Sequence, residues 1–514
     1  MRTFPALCRS LALLCLGLGS TLGFACDSLP SGQTLWIRLT SPITTYTARP
    51  GDAVKGVLTE AVECNGQEVF PVGTEVEGSV HSVRKVGWGI RHETAALDLQ
   101  FNRMVVTGAA PASISAVVTE VENAREQVTK GTIQGVRSSD TPQGRINSRL
   151  RHLPTWNPYS DLGLIVFKAG FPIFPEPEIY LPQGTDLRLK LNEAVSVPVS
   201  ASAHPPENFV DVTESVEREE LATSTPSRTT TVKMVEADVI NLAFVGSREE
   251  IDAAFREAGW VNSDTFTKHS FMRDFYAFLN DSGYPQAPMR EFLLDGEPPA
   301  MNWEKSLNSY ARRDHLRIWE WSDPSSSQTV WLSAATHDAG AALSVKHHQF
   351  VHHISPDIDE ERSKVIRDLS ASGCVQSVSL APRRGIANIS ENATGDPVTT
   401  DGALAVVELK PCQPAVPELA SAPQSANFKA GNHAFRYFRR QILTFRSDIW
   451  RANIIYGVYD LGHMSVTALR HHPAAPQSAY ATAKPSRQPS RQIARQHASE
   501  SMGSAEILDG DGLQ

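Results

Sequence analysis

The sequence predicts a multidomain α+β protein: an N-terminal all-β, barrel-like domain, then an α/β domain that contains an antiparallel meander. Three observations predict it. Residues 31 to about 195 alternate apolar and polar side chains between Gly and Pro punctuation, the pattern of short strands and turns. From Val232 to Cys412, helical periodicity with capping signals is interleaved with extended apolar runs. Between the two lies a stretch of Ser, Thr, Pro and Glu with few large apolar residues, which reads as a linker. At roughly 100 to 200 residues per domain, 514 residues suit two to four domains, and 41% hydrophobic residues is enough for real cores. Lys+Arg 48 against Asp+Glu 57 leaves a net charge of −9, so the basic excess of a duplex-binding protein is missing and no nucleic-acid partner is expected. Beyond the N-terminus no apolar run is long enough for a helix that spans a bilayer.

The expected order along the chain is a signal peptide over 1–25, the β domain over 26–195, a disordered linker over 196–230 and the α/β domain over 231–412. A second linker over 413–426, a basic and aromatic helical segment over 427–470 and a disordered tail over 471–514 follow. At the start, Arg2 and Arg9 supply positive charge, Leu11 to Leu18 is a compact apolar run, and Gly23 and Ala25 are small residues at the −3 and −1 positions of a cleavage site. Export to a periplasm or envelope is therefore expected. Cys26 follows the cut directly, which raises lipidation as the lesser reading; Gly23 and Phe24 fit a lipoprotein signal poorly. Once the signal is removed, Cys26, Cys64, Cys374 and Cys412 remain, and pairing Cys26 with Cys64 and Cys374 with Cys412 is the simplest disulfide scheme for an oxidising compartment. Lipidation of Cys26 would strand Cys64. No C-x-x-C is present, so neither thioredoxin chemistry nor a zinc ribbon is indicated.

In the β domain Leu35, Ile37 and Leu39 alternate with Trp36 and Arg38, and Val76, Gly78 and Val80 with Glu77 and Ser79. One pattern occurs twice: Phe70-Pro71-Val72-Gly73-Thr74 and Leu181-Pro182-Gln183-Gly184-Thr185, each followed by an acid and then alternation. A Pro-x-Gly turn that launches a strand is its physical sense. Over about a hundred residues the segment resembles the β-barrel domains of conjugation-type secretion scaffold proteins, where a similar Pro-x-Gly-Thr turn opens a strand.

In the α/β domain the apolar run Val239 to Val245 ends at Gly246, and Ser247 with Glu250 forms a capping-box signature. Ile251, Ala254, Phe255 and Ala258 share a helical face that Gly259 stops. A second helix follows, with Phe271, Met272, Phe275, Phe278 and Leu279 expected to pack in the core. Three extended segments come next, 315–321, 330–336 and 349–354, and Asp323-Pro324-Ser325-Ser326 marks a turn between the first two. An antiparallel meander of these segments brings His315 near His337, both near the start of the third strand. It places His352 and His353 on opposite faces, with His353 roughly 13 Å along its strand from the end nearest His337.

His315, Arg317, His337, His353, Asp357 and Asp359 are therefore the candidate site residues. Imidazoles and carboxylates at a strand end suit a divalent metal such as zinc, or acid and base work on a phosphoester. The competing reading is structural, because Asp357 with Glu360 also spells a helix cap and acids in a first turn complement the macrodipole. No H-E-x-x-H, G-x-S-x-G or phosphate-binding Gly-rich loop is present.

Several spaced stretches agree in order with a known family. They are Asn241 to Ser247 leading into Ala254-Phe255 and Ala258-Gly259-Trp260, then Arg313 to Trp319, Trp331 to Asp338, and His352 to Asp359 with Glu361-Arg362; Asp401-Gly402-Ala403-Leu404 follows. These residues resemble the LssY C-terminal domain family over about 180 residues. Members of that family occur alone or attached to membrane domains of lipid-phosphatase and DedA-like types, and the domain has no established activity. No such membrane domain is read in this chain, so lipid chemistry is not carried over. The loop Asp295 to Asn302, with Pro298-Pro299, departs from the family pattern.

Arginines interleave with aromatics over 435–459, which suits an envelope protein or a membrane surface as partner. The competing reading is a helix packed on the middle domain, its Arg stems covering apolar surface. The function expected is that of an exported cell-envelope protein acting by binding or assembly. The alternative is an envelope hydrolase, metal-assisted, acting on a phosphoester.

Overall fold

The computed structural model describes residues 27–137, 176–197, 221–321, 329–344, 349–420 and 431–452, apart from 66, 90, 91, 107 and 384. It adds isolated positions over 141–166 and a three-residue strand, Glu506–Leu508. The signal peptide, Cys26 and nearly all of the tail expected over 471–514 lie outside the described residues.

Six strands form the N-terminal barrel: β1 (Thr34–Leu39), β2 (Ala53–Leu58), β3 (Glu75–Arg84), β4 (Ala96–Val105), β5 (Ala112–Val121) and β6 (Asp186–Leu191). Each pairs antiparallel with the next and β6 returns to β1, so the ring closes without an open edge. The period-two pattern explains the filling: Leu35, Ile37 and Leu39 point inward with Val76, Val80 and Leu189. Where β3 meets β4, a Cβ on Gly78 would lie 2.3 Å from the Gln100 carbonyl oxygen. The pair shifts register at this point, and only glycine lets the two backbones come so close.

The two Pro-x-Gly-Thr segments adopt one geometry. Gly73 and Gly184 both have φ of 85°, and Thr74 and Thr185 each donate a hydroxyl hydrogen bond of 2.7 Å to the carbonyl of the proline three residues back. A positive φ at the third position makes these type II turns, which is the reason glycine stands there.

The middle domain contains β7 (Leu242–Val245), α1 (Arg248–Glu257), α2 (Lys268–Asn280), β8 (Met301–Lys305), β9 (Arg313–Trp321) and β10 (Val330–Ser344). It continues with β11 (Gln349–Ile354), α3 (Ile358–Ala371), β12 (Val375–Ala381) and β13 (Leu404–Leu409). One sheet runs in the order β8-β9-β10-β7-β13-β12, with β11 beside the far half of β10. Its pairs are antiparallel except β7 with β13. Helices α1 and α3 cover one face through Phe255, Val365 and Leu369, which meet Leu316, Ile318 and Ala335. The expected capping box of α1 is formed by Ser247 and Glu250.

Four expectations are corrected by the structure. Of the apolar residues of helix α2 only Ala277 and Phe278 are buried, while Phe271 and Met272 stand exposed, because the face they occupy projects beyond the small core formed with Tyr310 and Ala341. The linker expected over 196–230 gives way to structure by residue 221, with Leu221 and Ala222 buried and Arg228–Thr231 paired with Glu236–Val239. The second linker is docked: Leu419 is fully buried against Val57 and Ala371, and Arg38 donates to its carbonyl. The basic helix α4 (His433–Ala452) packs on the barrel rather than the middle domain, since Leu443 joins the barrel core and Arg439 pairs with Glu176 and Glu178. Residues 453–459 of that segment lie outside the described residues.

Cys374 and Cys412 form a disulfide. Cys64 is also disulfide-bonded, and the Cys26 half of its expected pair falls outside the described residues.

The barrel and the middle domain meet across charge. Asp186 of β6 holds Arg38 at 2.7 Å and Lys305 at 3.2 Å, and Lys305 continues to Asp368 of α3 at 2.8 Å. Glu122, just after β5, takes Lys364 at 3.2 Å and Arg367 at 3.3 Å. Trp36 lies between the guanidiniums of Arg188 from the barrel and Arg367 from α3, at 4.5 and 4.0 Å from its ring centroid.

Candidate functional site

Strand register decides which candidate residues share a surface. In the β9–β10 ladder Arg313 faces Asp338, Asp314 faces His337 and His315 faces Thr336. Residues directly opposite point to the same side of a sheet, so His315 and His337, one step out of register, point to opposite sides. The expected meander is present, but its two histidines do not converge.

On the side covered by α3, His337 Nδ1 lies 2.7 Å from Asp314 Oδ1, and the Asn123 amide of the barrel donates to Asp314 Oδ2 at 2.7 Å. Lys364 Nζ is 3.8 Å from the same oxygen. Burial would raise the Asp314 pKa, but the His337 hydrogen bond, the Lys364 charge and the Asn123 amide hold it well below the usual carboxylate range. Burial acts to lower the His337 pKa, and the Asp314 hydrogen bond and charge outweigh it, so the net shift is upward. Glu361 from the first turn of α3 turns inward beside them; burial, then the Asp314 charge, push its carboxyl well above the ordinary range. Donor atoms of Asp314, His337 and Glu361 all lie within 4.8 Å of one another.

On the other side His315 Nε2 lies 2.9 Å from Asp338 Oδ1, and Thr336 Oγ1 is 3.3 Å from His315 Nδ1. Arg313 bridges Asp338 and Glu304, both at 2.8 Å, and His352 Nδ1 comes within 3.2 Å of Asp338 Oδ2 without hydrogen-bond alignment. Burial pushes the His315 pKa down despite the pull of Asp338, whose own carboxyl is held far down by His315, His352 and Arg313 against its burial. Burial also pushes Glu304 up to about 8, with Arg313 opposing. His315 is buried with both ring nitrogens engaged, so it orders the sheet face and offers no nitrogen to a reactant.

Of the remaining candidates Arg317 extends the His315 face, and the others are placed apart from both groups. Arg317 donates to Asp238 and to the Arg290 carbonyl, both at 3.0 Å, and stacks on Phe292 at 4.4 Å. His353 pairs with Asp396 at 2.6 Å. It lies closer to His337 than expected, because β10 runs on to Ser344 and β11 ends, rather than begins, near Asp338. Asp357 caps α3 through the amides of Asp359 and Glu360, and Asp359 accepts from Thr400 and from the Asp401 amide. Arg362 then grips Asp401 with two bonds of 2.8 and 2.7 Å. Asp357 and Asp359 thus tie α3 to the chain leading into β13.

Asp314, Asp338 and Glu361 were absent from the sequence-derived candidates. The signal for Asp314 was available in the alternation: once β9 and β10 pair with 314 opposite 337, the acid and not the neighbouring histidine shares that face. Glu361 carried no such signal, because an acid in a first helical turn ordinarily faces solvent.

Residues 222–404 match the family model described as LssY C-terminus. The middle domain is LssY-like. The match opens at buried Ala222 and closes at Leu404, the first residue of β13, so it contains both faces of the β9–β10 ladder and all of α3. No curated protein matches the chain in sequence. Among solved structures, ComB10 of the Com Type IV secretion system of Helicobacter pylori is similar over 33% of this chain and 89% of its own, at 10% identity and a TM-score of 0.19. A superposition that poor fixes neither a shared fold nor a shared partner, and the LssY-like assignment rests on the family match alone.

Proposed function

We propose that this chain is an exported envelope protein whose LssY-like domain acts by binding or assembly. The supporting observation is an apolar surface on and beside α2: Phe266 is 69% exposed, Met272 47%, Tyr276 45% and Phe271 44%. Three large apolar side chains exposed on one helix, with a fourth just before its cap, mark a contact surface more than a soluble exterior. The sheet behind it suits a rigid frame, since His315 and Arg317 are held by fixed partners. A hydrolase would need His315 and His337 in one cleft, and the sheet separates them. Among the described residues no helix is long and apolar enough to cross a membrane, and the disulfides suit an oxidising compartment. Periplasmic or envelope residence is part of the proposal.

The test pairs two measurements. A photoreactive side chain at Met272, compared with one at exposed Glu60 on the barrel, is expected to give a discrete envelope adduct only at position 272. Tyr276→Glu is expected to remove that adduct. Phosphoester turnover by the purified full chain that His337→Ala abolishes would overturn the reading in favour of the hydrolase.

A further inference from the structure

We infer that Asp314, His337 and Glu361 form a site for a divalent transition-metal ion of the zinc class, seated where the LssY-like domain meets the barrel. Two observations carry this. The donor atoms come from three elements, β9, β10 and α3, yet lie within 4.8 Å of one another, so small side-chain rotations bring them around one ion at about 2.0–2.2 Å. Glu361 is 3% exposed and its Oε1 accepts no hydrogen bond. A buried carboxyl oxygen without a donor costs free energy that a cation would remove.

Lys364 is engaged by Asp368 and by Glu122 and stays 3.8 Å from Asp314. His337, with its side chain 26% exposed, gives an ion its entry from solvent, and a water would complete the coordination there. One imidazole with two carboxylates and no thiolate suits zinc or manganese better than a copper(I) or iron–sulfur site, and the imidazole disfavours magnesium. The Asn123 amide on Asp314 Oδ2 supplies the outer hydrogen bond that orients a ligating carboxylate, and it comes from the barrel. Metal occupancy and the barrel contact would therefore reinforce each other. The inference does not depend on the binding role proposed above.

The experiment uses the untagged full chain, stripped with chelator and dialysed free of it, titrated calorimetrically with Zn2+ and separately with Mg2+. One equivalent of Zn2+ and no Mg2+ binding are expected. Glu361→Gln keeps the side chain's shape and is expected to weaken Zn2+ binding by roughly 100-fold or more, as is His337→Ala. His353→Ala, which removes the pairing with Asp396 outside the trio, is expected to bind as wild type does. Circular dichroism and the thermal transition of each variant establish that it is folded, and Zn2+ is expected to raise the wild-type transition but not that of Glu361→Gln. Absence of stoichiometric Zn2+ binding by wild type, or wild-type affinity in folded Glu361→Gln, would overturn the site.

Discussion

Asp314 accepts from His337 through one oxygen and from Asn123 through the other, so one carboxylate joins two strands and two domains. Glu304, one strand away on the opposite face, has no such set of donors. Its Oε1 is unpartnered and its carboxyl is pushed by burial from 4.5 to about 8. The folded state thus keeps a proton that the unfolded chain gives up. Stability from this group is complete below about pH 4.5 and is lost as pH rises toward 8, at a limit of about 1.4 kcal/mol per pH unit. Glu304→Gln cannot ionise. Urea unfolding at pH 5 and pH 8 is expected to show a smaller loss for that variant than for wild type, and equal losses would remove Glu304 as the cause.

At the scale of elements, close backbone approach is what the sequence marks most clearly. Gly78 sits inside the barrel wall, where a methyl group would press on the Gln100 carbonyl and the Phe101 ring. Gly78→Ala is expected to destabilise the fold by about 1–3 kcal/mol, from overpacking and forced backbone shifts, read as a lower urea midpoint. Gly373 is a parallel case at the end of α3: its φ is +68°, and a Cβ there would lie 2.0 Å from the Gln413 carbonyl oxygen. The crowding lies beside the Cys374–Cys412 disulfide and the Gln413 amide's hydrogen bond to the Gly373 carbonyl, which fasten the two chain segments together. Helix α3 is similarly fixed at its start, where Asp357 caps it and Arg362 and Asp359 both reach the 400–401 turn.

At the scale of the whole molecule, the barrel and the LssY-like domain are joined by ion pairs that solvent does not reach. Asp186 is the central carboxylate: burial would raise its pKa, but Arg38 and Lys305 hold it well below the ordinary range. Removing one member of such a network leaves the others charged and unpaired, which costs about 3–5 kcal/mol. Asp186→Ala is therefore expected to lower stability by that amount and to let the two domains unfold at separate urea concentrations. Glu75→Ala removes an exposed partner of Lys55 and is expected to leave the midpoint where it is. A single transition of undiminished midpoint in Asp186→Ala would show that the network does not hold the domains together.

Much of this architecture could be read from the chain. The inward residues of β1, β3 and β6, the two Pro-x-Gly-Thr turns and the Ser247 cap follow from local pattern, because alternation, positive-φ glycines and capping side chains act within a few residues, and the Cys374–Cys412 pair follows from the grouping of four cysteines. The order of the meander was legible for the same reason. Its parity was not: a single residue of register sends His315 to one face and His337 to the other, and that offset is fixed by packing on both sides of the sheet. Nor could sequence place Glu361 inward, reveal that Leu419 and α4 dock on the barrel, or join Asp186 to Asp368 across 182 positions. Sequence by itself determined the strands, helices, turns and family likeness of this protein, since those depend on near neighbours. Only the tertiary structure decided which acids meet which bases, because a buried charge takes its partner from whatever the fold brings alongside it.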